Sequence, residues 1–224
     1  MRVRAYQVGD RELVREICHL TGHMGEPADW FWADRDSFAD LFSGYWTDRE
    51  PESALVVEAE PGDEGAVPGQ VVGYLLGCVD STRVPSMVEV LWPHVWRRGL
   101  LWRRGTARTV WRGVLDVTGD LARTRRLPEE EFSDPRYPSH LHIDLLPVAR
   151  GRGLGRELVQ RFLDRLRSLG SPGCHVQTLA ENRGAVAFFR SVGFVPLERG
   201  PAVPAFRSRD GGRLHLQVMV QALD

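Results

Sequence analysis

Between Leu141 and Leu169 a strand-like run, a glycine-rich turn and an amphipathic stretch follow one another without a break. Leu141 to Leu146 is apolar enough for a strand, and Arg150-Gly151-Arg152-Gly153-Leu154-Gly155-Arg156 ends it. Beyond the turn, Leu154, Leu158, Phe162, Leu166 and Leu169 recur at helical spacing and predict one buried face. A strand that passes through glycines straight into a helix calls for a sheet with helices packed on it. It also puts the unpaired N–H groups of a first helical turn, with their partial positive charge, at the turn. Glycine lets an anion approach that backbone closely. Arg150, Arg152 and Arg156 add charge, so in physical terms the turn is a diphosphate site.

A plain tight strand–helix turn would use the same residues. A dinucleotide-binding turn needs G-x-G-x-x-G, which glycines at 151, 153 and 155 do not give, and this strand lies late in the chain. A Walker A loop needs a lysine, and all 29 basic residues are arginine. The same absence removes a Schiff-base lysine and a lysine general base.

The rest of the chain predicts one α/β domain over residues 1–224. Val3 to Tyr6 is a short strand, and a helix follows from Asp10 with Leu13, Val14, Ile17 and Leu20 in phase. A second helix runs from Asp34 to Tyr45. Ala54 to Ala59 and Gln70 to Val79 form a hairpin across Pro61-Gly62-Asp63-Glu64-Gly65. After the glycine-rich turn come a strand at Cys174 to Leu179, a short helix at Arg183 to Val192 stopped by Gly193, and closing strands at Phe194 to Leu197 and Leu214 to Val220. Strands alternating with helices in the last third indicate a mixed sheet with helices on its faces. Residues 81–138 break this rhythm. They hold Trp92, Trp96, Trp102 and Trp111, end in Pro128-Glu129-Glu130-Glu131 and Asp134-Pro135, and are too aromatic for a disordered linker. They read as an inserted helical lid.

Charge is uneven. Residues 1–80 carry 6 Arg against 16 acids, residues 81–138 carry 11 against 7, and residues 139–224 carry 12 against 7. Scattered solvated charge and an anion site beside a cation site both fit this pattern. No nucleic-acid partner is expected, because neither a strong basic excess nor a recognisable module is present. No membrane partner is expected either: Val71 to Val79 is too short to span a bilayer, and the first thirteen residues lack the apolar stretch of a secretory signal. Three cysteines, 18, 78 and 174, with no C-x-x-C, fit neither a disulfide scaffold nor a zinc ribbon and point to the cytoplasm.

The spacing R-x-x-G-x-G at Arg150, Gly153 and Gly155 resembles motif A of the GCN5-related N-acetyltransferase (GNAT) family. The segment from Asn182 to Phe194, NRGAVAFFRSVGF, is similar to that family's N-x-x-A-x-x-F-Y-x-x-x-G-F segment. More narrowly, HLHIDLLP followed by RGRGLG, with the Trp-rich insertion, resembles bacterial acetyltransferase-like proteins similar to the C-terminal domain of O-GlcNAcase.

The resemblance implies a mixed, mostly antiparallel sheet flanked by helices, whose Leu145–Leu146 strand splays from the strand ending near Thr178. It implies acetyl-CoA as acetyl donor, its pantetheine arm lying between those strands. Leu145, Leu146 and Pro147 would bond the arm, with the Leu145 N–H on the thioester carbonyl. Arg150, Gly151, Arg152, Gly153, Leu154, Gly155 and Arg156 would hold the pyrophosphate, and Asn182 would bond the arm or order its loop. The acceptor is an unidentified primary amine, a small molecule more readily than a protein lysine. Phe189 stands where the family often has a tyrosine that protonates the leaving thiolate. Phenylalanine has no proton to give, so the alternative is a CoA-binding protein with little or no turnover.

His140, His142 and Asp144 alternate along one strand and share a face. As H-x-H-x-D they begin a metallohydrolase motif, but Leu145 stands where a further His is needed, and no metal is expected. A polar strand edge is the plain reading. In the family's terms Asp144, then His142, is the candidate base that deprotonates the amine. Trp30, Trp32 and the insertion tryptophans either pack or line an acceptor pocket. Glu26, Asp29, Asp34 and Asp36 either face solvent or attract a cationic amine. The pairs Cys18–His19 and Cys174–His175 are sequence neighbours that face different ways, so neither is a nucleophile–base pair.

Overall fold

The structure is a computed structural model that describes residues 1–103, 105–125 and 132–223. Its strands are β1 (Arg2–Ala5), β2 (Ala54–Glu58), β3 (Val71–Cys78), β4 (Ser139–Leu145), β5 (Gly173–Leu179), β6 (Val195–Arg207) and β7 (Arg213–Ala222). They form one sheet in the order β1-β2-β3-β4-β5-β7-β6. Every pairing is antiparallel except β4 with β5. This is the mixed, mostly antiparallel sheet expected.

The helices are α1 (Arg11–Thr21), α2 (Arg35–Ala39), α3 (Tyr45–Arg49), α4 (Met87–Arg97), α5 (Thr106–Thr124), α6 (Leu154–Ser168) and α7 (Arg183–Ser191). A π-turn, Asp40–Gly44, joins α2 to α3, so the second helical run extends four residues past Tyr45. All of β3 is buried, as a central strand covered on both faces must be. On one side α6 packs Leu158, Phe162 and Leu166 against Leu75 and Leu141. On the other, α1 to α3 bury Val14, Ile17, Phe38 and Trp46 against Tyr74, Leu76 and Cys78. Leu169 is exposed rather than part of the α6 face, because it follows the last turn as the C-cap.

The insertion carries α4 and α5. Asp34, fully buried, accepts from Arg98 at 2.8 Å and pairs with Arg103 at 2.7 Å. Thr109 donates to the Phe31 carbonyl at 2.6 Å. Asp116 and Asp120 on α5 bind Arg207 and Arg213 on the terminal hairpin. That hairpin is far longer than Phe194–Leu197 and Leu214–Val220 imply. β6 continues through Gly200, Pro201 and Pro204 with repeated register shifts, held by β7 on one side and α5 on the other. The run Pro128-Glu129-Glu130-Glu131 lies outside the described residues. No helix among the described residues is long and apolar enough to cross a membrane.

Candidate active site

β4 pairs with β5 only at Ser139–Cys174 and His140–His175. Beyond His140 the two strands run apart, while β4 stays paired to β3 as far as Leu145. The Leu146 N–H donates to the Val72 carbonyl at 2.9 Å. Backbone groups alternate along an antiparallel ladder, so the N–H groups of Ile143 and Leu145 point the other way, into the gap. Leu146 differs from Leu145: its N–H is bound to Val72 and its carbonyl accepts from the Ala149 N–H.

Pro147–Ala149 form a short 3-10 turn that leads to the glycines. Gly151 and Gly153 sit at φ +74° and +79°, where side-chain-bearing residues are strained, and no atom lies within 4 Å of where a Cβ would be. Gly153 caps α6 without a side-chain bond, leaving the helix's first amides facing open space. Gly155 faces the other way, against the Phe188 ring. Gly151 and Gly153 therefore leave the approach to the first turn of α6 open.

The three arginines of the turn differ. Arg152 is exposed, with only a 3.6 Å contact to Asp63. Arg156 donates to the Ser191 carbonyl at 2.8 Å, fastening α6 to α7. Arg150 donates to the Leu145 carbonyl at 2.9 Å and to the Gly25 carbonyl at 2.8 Å. Asn182 is the N-cap of α7 and accepts from the Ala185 N–H at 3.1 Å. Phe189 is buried among core residues, its ring against Phe188 and Phe194. Arg183 and Arg190 line an open groove of about 590 Å³ along α7.

On the opposite face of β4 stands Asp144, half-buried, accepting from the Tyr74 hydroxyl at 2.7 Å. Burial pushes its carboxyl up to about 7, against the pull of Tyr74, Thr21 and the Arg150 charge. Burial and the Asp144 charge hold Tyr74 well above its usual range, so it remains a donor. His142 lies edge-on to Trp46, 5.0 Å between centroids, and burial brings it down to about 4. His140, next along the strand, is buried and pushed well below its usual value by burial and by the neighbouring imidazoles. His175 packs on His140 at 4.7 Å. The three imidazoles are therefore neutral at pH 7, and a neutral His142 beside a carboxyl titrating near 7 suits proton acceptance. Tyr74 carries no sequence signal of its own; only the register that sets it opposite Asp144 reveals it.

Asp34 and Asp36 are bound by Arg98, which corrects the idea that they wait for a cationic amine. Trp32 is buried, but Trp92, Trp96, Trp102 and Trp111 are each more than half exposed. All three cysteines are free and buried, and burial raises Cys18 and Cys78 to about 12, so none is a thiolate. Among the described residues no group of three or more His, Cys, Asp or Glu is arranged to hold a metal ion.

A splayed β4–β5 pair with a glycine turn at its mouth and a titratable carboxyl behind it defines a class of acyl-transfer folds. The family model described as Acetyltransferase (GNAT) family matches residues 24–194, and the chain belongs to that family. The crystal structure of SsHAT is similar over 100% of this chain and 98% of its own, at 26% identity and TM-score 0.63. A phosphinothricin acetyltransferase from Sinorhizobium meliloti, solved in complex with AcCoA, shares the fold at 17% identity and TM-score 0.55, over 99% of this chain and 88% of its own. Ribosomal-protein-alanine N-acetyltransferase from Brucella melitensis does so at 18% identity and TM-score 0.57, over 100% of both chains.

Proposed function

We propose that this protein transfers an acetyl group from acetyl-CoA to a primary amine by direct attack, with Asp144 as general base. The observation that carries the reading is the pairing of an open strand edge at Ile143 and Leu145 with a carboxyl that titrates near 7 on the same strand.

The residues fit the cofactor. The gap beyond His140 admits an extended amide chain, which pairs with a free strand edge as an added strand does. The open turn at Gly151 and Gly153, with the first amides of α6 behind it, suits a pyrophosphate, and the exposed Arg152 lies beside it; Leu154 and Gly155 contribute backbone only, being buried, and Arg156 is bonded to Ser191. Pro147 shapes the entry, and Asn182 orders the start of α7 beside it. Phe189 is buried beside Phe188 and Phe194. When bound, acetyl-CoA supplies an activated thioester acyl group. The Leu145 N–H stabilises charge developing on the acyl oxygen. Asp144 accepts the proton the amine sheds as the carbon–nitrogen bond forms and the carbon–sulfur bond breaks, and His142 borders the same cleft. Phe189 has no proton for the departing sulfur, so that proton comes from solvent. Holding amine and acyl group together in the cleft supplies much of the rate gain.

We take the insertion that carries α4 and α5, tied to Asp34 and to β6, as a lid on the acceptor side that favours a small or narrow amine over a broad protein face. The finer kinship, to acetyltransferase-like proteins related to the O-GlcNAcase C-terminal domain, rests on His140–Pro147, Arg150–Gly155 and the Trp-rich insertion. The three buried free thiols are consistent with a cytoplasmic location. The experiment is release of free thiol from acetyl-CoA across a panel of small amines, amino sugars and lysine peptides. Turnover that Asp144→Ala abolishes supports the proposal. Tight acetyl-CoA binding with no turnover on any amine would favour the Phe189-based alternative, a CoA-binding protein without catalysis.

A further inference from the structure

We propose that the Arg150 side chain is a positioning strut that ties the acyl-binding edge of β4 to the acceptor-side loop Thr21–Gly25, and is not a phosphate ligand. The proposal rests on the acetyltransfer reading and assigns Arg150 a different task from the rest of its turn.

The guanidinium already has two partners. Its Nε donates to the Leu145 carbonyl at 2.9 Å and its Nη2 to the Gly25 carbonyl at 2.8 Å. The Leu145 carbonyl lies on the side of β4 that faces the gap, so Arg150 covers an acceptor beside the Leu145 N–H. That edge then presents a donor, as an acyl oxygen requires. At the far end the loop is shaped to receive the guanidinium. Gly25 has φ +87°, and a Cβ there would come within 3.2 Å of Arg150 Nη2. Met24 is also left-handed, at φ +54°, a strained conformation for a side-chain-bearing residue that surrounding contacts must hold. The Gly25 N–H closes back on the Thr21 carbonyl at 3.0 Å, so the loop continues from the end of α1.

The strut also acts on Asp144: the Arg150 charge favours the ionised carboxylate. The other groups facing Asp144 are Tyr74 from β3, Cys18 from α1 and His142 from β4 itself. Of these only Arg150 is cationic at neutral pH. Bonds from a charged donor to carbonyls are among the stronger ones, and a two-point fork fixes geometry as a single ammonium cannot. Gly151, Gly153, the first amides of α6 and Arg152 remain for the phosphates.

The test compares wild type, Arg150→Gln and Arg150→Lys in three readouts. Amide hydrogen exchange at residues 21–26 reports the loop without any ligand. Calorimetry with acetyl-CoA and with phosphate-free acetyl-pantetheine reports whether phosphates are involved. The pH profile of acetyl transfer reports Asp144. The strut predicts faster exchange at 21–26 in both variants and acetyl-CoA affinity within about threefold of wild type. It also predicts a loss in turnover of about tenfold for Arg150→Gln, equal with both donors. The acidic limb of the profile moves up in Arg150→Gln and stays near wild type in Arg150→Lys. Unchanged exchange at 21–26 overturns the proposal. So does an affinity loss above about tenfold that appears with acetyl-CoA and vanishes with acetyl-pantetheine, which is the signature of a phosphate ligand. If wild type fails to bind either donor, the acetyltransfer reading fails, while the exchange result still decides the strut.

Discussion

The Tyr74 hydroxyl donates to Asp144 Oδ2 at 2.7 Å across the β3–β4 pair. This one bond couples the central buried strand to the carboxyl in the cleft. It fixes the direction in which that carboxyl points and lowers the cost of its ionisation in a half-buried position. Tyr74→Phe removes the bond without changing the shape. The Asp144 carboxyl, already near 7, then titrates higher, because a stabiliser of its charged form is gone. The expected result is an upward shift of the acidic limb of the rate profile and a several-fold loss of turnover at pH 7, with acetyl-CoA affinity unchanged. A pH series of initial rates on both proteins checks this.

Asp144→Asn should lose activity and gain stability at high pH. The folded carboxyl titrates near 7 against an ordinary 3.8. Between those values the folded chain holds a proton that the unfolded chain has released. The group's contribution to stability is therefore fully present below about pH 4 and lost as pH rises through 7. Asparagine is neutral throughout. Thermal unfolding should place the variant above wild type at pH 8.5 by on the order of 1–2 kcal/mol and near it at pH 5. Transfer activity should fall by 100-fold or more, on the order expected for loss of a general base.

His142 and His140 act with the opposite sign. Both are held below their usual values by burial, His142 at about 4. Unfolding lets them take up protons below about pH 6.5, so stability falls as pH drops from there toward 4. His140→Phe should flatten that decline. Among the described residues the His140 Nδ1 is buried without a partner, so the substitution removes a desolvated polar atom as well. Urea midpoints at pH 4.5 and 7.5 separate the two effects: the variant's gain should be larger at 4.5.

Asp34 is the anchor of the insertion. Its side chain is wholly buried and is paired with Arg98 and Arg103 from the segment between α4 and α5. Asp34→Ala takes the buried carboxylate from Arg103, leaves Arg98 with Asp36 alone and removes the N-cap of α2. Both arginines keep part of their surface in water, so the cost is that of the lost cap and charged hydrogen bonds, on the order of 1–3 kcal/mol. Limited proteolysis should cut residues 85–105 first in the variant, while wild type resists under the same conditions.

How much of this was legible beforehand varies along the chain. The turn at 150–156 and the α6 stripe declare themselves because glycine placement and helical spacing are local signals. Asp144 and His142 were singled out as candidates because alternation puts them with His140 on one face and the family resemblance points to a carboxylate on that strand. Tyr74 was invisible because β3 is buried throughout, and an unbroken apolar run marks no residue as special. The reach of Arg150 was not legible for a related reason. Its sequence neighbours are glycines suited to an anion, but its side chain turns back to Gly25, 125 residues away in the chain. The length of β6 escaped because Gly200, Pro201 and Pro204 argue against a strand, and only pairing with β7 and packing of α5 overrule that local preference. The insertion tryptophans suggested core or pocket, yet four of them lie on the outer surface, which no periodicity in their spacing discloses.

The most direct test of the whole account is calorimetric titration of acetyl-CoA into wild type and Gly153→Glu. Glutamate at φ +79° brings strain and a negative charge to the mouth of the β4–β5 gap. The account predicts micromolar-range affinity in wild type and its loss in the variant, with the fold retained by circular dichroism. Wild type that does not bind acetyl-CoA, or a folded variant that binds it as well as wild type does, would contradict it.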